Sequence, residues 1–151
     1  MQTILVASDA PTLRREVEAV ISGPDVEVRS VVSGPEVVAF VAEESPDLVI
    51  VDMQMGNMGG MAVCLELRLQ ESYDAIDHIA VLMLLDRRPD VFLARRSGAE
   101  GWLVKPLDPI RLRRAVQALL DDGTFYDDSF TPVPVLVGAE SQLEAGPGPT
   151  A

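Results

Sequence analysis

The strongest constraint in this sequence is the regular alternation of short apolar runs with longer stretches of helical spacing. Residues 3–7 form an apolar run followed closely by Asp9. Pro11 then stands where a helix can begin, and Leu13, Val17, Val20 and Ile21 recur at helical spacing. Residues 26–32 alternate in the manner of a strand. Ser33-Gly34-Pro35-Glu36 has the pattern of a capping box and opens a second helix, with Val37, Val38, Phe40 and Val41 on its apolar side. The cycle then repeats. Residues 48–51 and 79–85 are uninterrupted apolar runs, and 102–104 is a brief fifth strand. Helices are expected over 61–69, over 89–97 with Gly98 as the stop, and from Asp108-Pro109 onward. Strands separated by single helices run parallel through right-handed crossovers. Runs that are apolar at every position fit strands covered on both faces. The pattern therefore predicts an α/β doubly wound, five-stranded parallel sheet with helices on both faces. Such sheets place ligands beyond the C-terminal ends of their strands.

Composition narrows the function classes. A single cysteine, Cys64, excludes an internal disulfide, and with His78 as the single histidine a zinc site of the usual ligands is not expected. A net charge of −12 argues against sequence-independent binding to nucleic acid. The longest apolar run, 79–85, falls far short of the about 20 residues of a membrane span. The N-terminus has no basic stretch and no signal-like segment, so a cytoplasmic protein without membrane contact is expected. Residues 1–120 are the expected folded domain. Residues 121–151 carry six acids and no Lys or Arg, with recurrent Pro and Gly, and are expected to form an acidic tail largely without fixed structure. Within the tail, "TPVPVLVG" has the character to dock on a partner or on the domain.

The polar residues at the strand ends carry the chemistry. Ser8 and Asp9 follow the first strand, Asp52 ends the third, and Lys105 follows the fifth. A parallel sheet brings these distant positions to one edge. Lys105 is the only lysine beside eleven arginines, which suits a point charge rather than a planar fork. Two carboxylates and an ammonium suit phosphoryl transfer. Carboxylates hold Mg²⁺, the cations neutralise phosphoryl oxygens, and a carboxylate can itself be the nucleophile. Asp52 is the better nucleophile, because its strand fixes it. The glycines that follow would let the backbone approach a metal or phosphate closely. Plainer roles stand beside these: Asp9 as a helix cap, Cys64 as a small core residue, His78 as a loop histidine, and Met53, Met55, Met58 and Met61 as packing.

The stretches "ILVASDAP", "DLVIVDMQMGNMGG" and "SGAEGWLVKPLD", with the spacing between them, resemble the receiver domain of two-component response regulators over residues 3 to about 120. The resemblance implies a flavodoxin-like fold with strand order 2-1-3-4-5. It implies that Asp52 accepts phosphate from a sensor histidine kinase and that Lys105 contacts the phosphoryl group. It further implies that Mg²⁺ is held by Asp9, Asp52 and the backbone carbonyl of Gln54. Trp102 stands where the family has a switch Tyr or Phe. The sequence also departs from the family. Ser8 replaces the first acid of the metal-binding pair, so a weakened Mg²⁺ site is expected, with Ser8 acting through water. Leu85 stands where a hydroxyl residue usually ends the fourth strand, so the usual coupling of that hydroxyl to the aromatic switch cannot operate. The following loop is about two residues short, which brings Leu84 or Asp86 within reach of the site. Gly56 and Gly59 stand where the family has Pro and Asp.

Two functions are compatible with these residues. The first is an atypical single-domain response regulator that signals by protein–protein contact, with at most Mg²⁺-dependent self-phosphorylation and slow autodephosphorylation. Its output would run to a downstream protein or a homodimer through the face of helix 4, strand 5 and helix 5, without direct DNA binding. Arginines 87, 88, 95, 96, 111, 113 and 114 gather there, able to pair with Glu100 or Asp108 across a two-fold or with the chain's own acidic tail. The second is a degenerate pseudo-receiver acting as a phosphorylation-independent binding module. A flavin-binding protein of similar fold is disfavoured, because the loop after the first strand lacks a Ser/Thr/Gly-rich phosphate cradle.

Overall fold

The alternation read from the sequence becomes β1 (Gln2–Ala7), α1 (Pro11–Ile21), β2 (Val26–Val31), α2 (Gly34–Glu44), β3 (Leu48–Asp52), α3 (Gly60–Ser72), β4 (Ala80–Leu85), α4 (Val91–Ser97), β5 (Gly101–Val104) and α5 (Pro109–Leu120) in a computed structural model that describes residues 1–127. A single 3₁₀ turn, Arg88–Asp90, leads into α4. The strands pair in parallel in the order β2-β1-β3-β4-β5, as expected, and a sixth strand, β6 (Phe125–Tyr126), adds to the far edge beside β5. The chain leaves β1 in one direction to β2 and in the other to β3. Sheets of this kind bind ligands at that reversal.

Side-chain alternation splits the core into two layers. Val49 and Val51 of β3 pack with Val37 and Val41 of α2 and with Val63, Cys64 and Leu67 of α3. Leu48 and Ile50 face the other way, against Val17 and Ile21 of α1 and Leu112, Val116 and Leu119 of α5. Every residue of β3 is buried, which explains why that run shows no alternation in sequence. Cys64, Met53 and Met55 are core residues, as expected. Burial pushes the Cys64 thiol above its ordinary pKa.

Two expectations need correction. First, the folded domain does not end at residue 120, and residues 121–127 are not part of a structureless tail. After α5 the chain turns through Asp122 and Gly123 and returns along β5, where the Phe125 N–H bonds the Glu100 carbonyl at 3.1 Å. Asp127 is buried, its N–H donates to the Trp102 carbonyl, and its carboxylate accepts from the Val104 N–H and from Arg111. A buried acid with a guanidinium and a backbone donor is stable here, although acid-rich composition read as solvated chain. The remainder of the tail, "TPVPVLVG" included, lies outside the described residues. Second, the capping box does not form: Ser33 makes no side-chain cap, and Glu36 accepts from the Val32 N–H, one residue before the N-cap. Gly59 and Gly60 serve tight packing at the start of α3. A Cβ on Gly60 would sit 2.7 Å from the Asp52 carbonyl oxygen, and one on Gly59 2.8 Å from that of Met53.

Trp102 is buried on β5 and stacks on Tyr126 of β6 with ring centroids 4.4 Å apart, while the Arg95 guanidinium lies over its ring at 5.3 Å. β6 therefore covers the edge of β5 and closes the aromatic against solvent.

Two outcomes are expected. Gly60→Ala destabilises the domain by about 1–3 kcal/mol in urea unfolding, because backbone rather than a flexible side chain must give way. Tyr126→Ala uncovers Trp102, the single tryptophan of the chain; its emission shifts to the red and acrylamide quenches it more strongly, with a loss of about 0.5–1.5 kcal/mol in stability.

Candidate functional site

The C-terminal ends of β1, β3, β4 and β5 bring together the residues predicted from the strand ends. Asp52, the last residue of β3, is 2% exposed, and Ser8, just past β1, is fully buried. The parallel register aligns Asp52 with Leu84 of β4, and the Lys105 N–H continues the ladder to the Leu85 carbonyl at 2.8 Å. β4 thus acts as a spacer that sets the Lys105 side chain across from Asp52.

Each oxygen of the Asp52 carboxylate has its own donors. Oδ1 accepts from Lys105 Nζ at 2.7 Å and from the Gln54 backbone N–H at 3.3 Å, while Oδ2 accepts from the Ser8 hydroxyl at 2.8 Å. Lys105 also reaches Asp86 Oδ1 at 2.9 Å. A carboxylate so buried is tolerable only because an ammonium and neutral donors compensate its charge. For Lys105 the balance runs upward. Burial lowers its pKa, but the hydrogen bonds and charges of Asp52 and Asp86 outweigh that and hold it above the ordinary lysine value.

Asp9 is exposed and accepts from the Gly56 N–H at 2.9 Å, so it ties the loop after β3 to the end of β1. It does not cap α1. The N-cap is Ala10, which has no side-chain cap, and the Ala10 N–H donates to the Ser8 hydroxyl instead. Arg14 closes the same corner by donating to the Ser8 carbonyl at 2.6 Å. Both acids therefore stand at one rim, Asp52 inside and Asp9 at the surface, with Ser8 adjoining the inner one.

Leu85 is fully buried in the same core layer as Trp102 and Val104 and brings no hydroxyl to the rim. Leu84 lies in the opposite layer. Asp86 is therefore the residue that the short loop brings to the site. Part of the arginine-rich face is committed within the chain. Arg87 pairs with Asp90, Arg95 covers Trp102, and Arg111 pairs with Asp127, the first contact between this face and the acidic C-terminal segment. Glu100 is held by Arg68 and His78, and Asp108 caps α5 through the Ile110 N–H. Sequence reasoning missed Tyr126 and Asp127. The signal for them was the aromatic pair followed by an acid just after Gly123.

The side-chain oxygens gathered at this rim are those of the Asp52 and Asp9 carboxylates and the Ser8 hydroxyl. That set suits a hard divalent cation such as Mg²⁺. Among the described residues no cluster of three His, Cys, Asp or Glu side chains could hold a metal. No helix among the described residues is long and apolar enough to cross a membrane.

Comparison with known proteins agrees with this geometry. The family model of the response regulator receiver domain matches residues 4–117. The response regulator PleD of Caulobacter vibrioides is 30% identical over 149 residues, covering 93% of this chain and 32% of PleD, so the chain spans about a third of that relative's length. Protein PilH of Pseudomonas aeruginosa is 28% identical over 120 residues, covering 80% of this chain and 98% of PilH. Among solved structures, the chemotaxis response regulator CheY4 of Vibrio cholerae superposes with a TM-score of 0.68 at 28% identity, covering 78% of this chain and 97% of that one. With the family model matched over residues 4–117 and the strands in the order β2-β1-β3-β4-β5, the chain belongs to the family of response regulator receiver domains of two-component signalling.

Proposed function

We propose that this chain is an atypical receiver that accepts a phosphoryl group on Asp52 from a histidine kinase and passes the signal on by protein–protein contact. Receiver domains interact with histidine kinases and downstream partners and bind Mg²⁺ at an acidic pocket. The observation that carries the reading is the buried Asp52 carboxylate held at 2.7 Å by the only lysine of the chain, from a strand two places away. In the proposed step an Asp52 oxygen attacks phosphorus, the bond from phosphorus to the donor breaks, and the donor leaves with the electron pair. With acetyl phosphate the products are an aspartyl phosphate and acetate. Lys105 stands where it can neutralise the oxygens of the arriving group. Ser8 and the Gln54 N–H hold the carboxylate in one orientation, which keeps its attacking lone pair aimed.

Asp9, Asp52 and the Gln54 carbonyl are the residues that would hold Mg²⁺, with Ser8 contributing through a bound water. Bound there, the ion would neutralise phosphoryl charge. Two carboxylates in place of three imply weaker affinity than a fuller acid set would give. The β5 edge, covered by β6, would have to be uncovered before a partner could use it.

A second reading has its own support. Leu85 offers no hydroxyl, Ser8 offers no charge, and Trp102 is stacked under Tyr126. Those departures favour a degenerate receiver that binds partners without phosphorylation.

Incubation with acetyl phosphate and Mg²⁺ followed by intact mass measurement separates the two. The proposal expects one added phosphate, absent in Asp52→Asn and strongly reduced in Lys105→Met; an unchanged mass at saturating donor favours the binding module. Ser8→Asp is expected to tighten Mg²⁺ binding roughly tenfold by adding a ligand charge, read by calorimetric titration, and to lower the stability of the metal-free protein, since two carboxylates would then adjoin.

A further inference from the structure

Asp86 occupies the first position after β4 and has no counterpart among the roles considered so far. Its Oδ1 lies 2.9 Å from the same ammonium that Asp52 Oδ1 holds at 2.7 Å. The two carboxylates differ in setting. The Asp52 side chain is 3% exposed and the Asp86 side chain 35%. Asp52 is thus the inner partner and Asp86 the outer one, with the ammonium between them.

This arrangement is built by the backbone. The β3–β4 register stops at the Asp52–Leu84 pair, and the Lys105 N–H bonds the Leu85 carbonyl, so the residue after Leu85 emerges beside the lysine. Because Lys105 is the only lysine, no neighbouring ammonium can take its place. An anion arriving at Asp52 therefore meets a cation that is already shared with a second acid. Transfer replaces one negative charge on Asp52 with two, and the Asp86 carboxylate opposes that gain both by repulsion and by keeping its hold on Lys105.

We propose that Asp86 is a positioning residue that holds the Lys105 ammonium at the mouth of the site and restrains the loading of Asp52 with phosphate. The proposal rests on the reading of Asp52 as acceptor and adds a charge-based brake to it. A neutral residue at position 86 would release the ammonium toward the incoming group. A glutamate would keep the brake, since its charge is retained and its longer stem still reaches.

The test measures the rate of phosphate gain from acetyl phosphate with Mg²⁺ in the full chain and in Asp86→Asn and Asp86→Glu. A partly exposed ion pair of this kind corresponds to about a three- to fivefold faster gain in Asp86→Asn, with Asp86→Glu near the parent rate. The gap between Asp86→Asn and parent closes as salt is raised from about 0.05 to about 0.5 M, because the repulsion is screened; a merely structural effect would not follow salt in this way. A rate in Asp86→Asn equal to or below the parent, or an Asp86→Glu that behaves like Asp86→Asn, overturns the proposal. A second readout does not depend on phosphorylation. Labelling with ¹⁵N-lysine gives a single side-chain amine signal, whose exchange with water is faster in Asp86→Asn if Asp86 holds it. Should no variant gain phosphate, the acceptor reading fails, and this exchange rate alone decides whether Asp86 holds the ammonium: faster exchange upholds that hold, and unchanged exchange overturns it.

Discussion

The contact between the Lys105 ammonium and the Asp52 carboxylate, 2.7 Å apart, constrains the whole rim. It joins residues 53 positions apart in sequence across the intervening strand β4. For the contact to form, β3, β4 and β5 must be parallel, in register and of matching length at their C-terminal ends. Breaking a buried pair of this sort by removing one partner costs about 3–5 kcal/mol, because the other charge is left without compensation. The fold thus makes the pair possible, and the pair in turn makes a buried acid at the end of an otherwise apolar strand tolerable.

Much of this was legible in the sequence, for reasons that can be located. The β–α alternation is unambiguous because strands such as 48–51 and 79–85 are apolar throughout. Strand-end positions then followed from topology alone, which is how Asp52, Lys105, Ser8 and Asp9 could be placed at one rim. Asp108-Pro109 was readable as a helix start because cap and proline act locally, and the Asp108 carboxylate does accept from the Ile110 N–H. The features that escaped depend on tertiary partners. β6 is two residues long, too short for any period to show, and its acid is held by Arg111 and by a backbone N–H that sequence spacing does not reveal. Ser33 and Glu36 looked like a reciprocal cap, yet Glu36 found the Val32 N–H instead. The reason for Gly59 and Gly60, the close approach of α3 to the end of β3, is likewise tertiary.

The residues packed around β5 sit on one connected path. Leu85 fills the core layer shared with Trp102, Trp102 lies between Arg95 and Tyr126, and Asp127 fixes the Val104 N–H, one residue before Lys105. Residues 125–127 therefore reach both the aromatic at the switch position and the strand end that carries the lysine. On the proposed reading, loading of Asp52 would be sensed through the charge held by Lys105 and through the packing of β5 under β6, rather than through a hydroxyl drawn inward. The charges are arranged unevenly: a serine adjoins Asp52 at position 8, and an acid at position 86 sits on the far side of the lysine and draws on the one ammonium available.

The central claim is that a carboxylate, and Asp52 in particular, is the group that takes phosphate at this rim. Treatment with acetyl phosphate and Mg²⁺, reduction with borohydride and peptide mass mapping tests it directly, because borohydride converts an aspartyl phosphate to homoserine and leaves a phosphoserine intact. The account predicts homoserine at position 52 and nowhere else. Phosphate that survives reduction on Ser8, or homoserine at position 9 or 86 in place of 52, would contradict it.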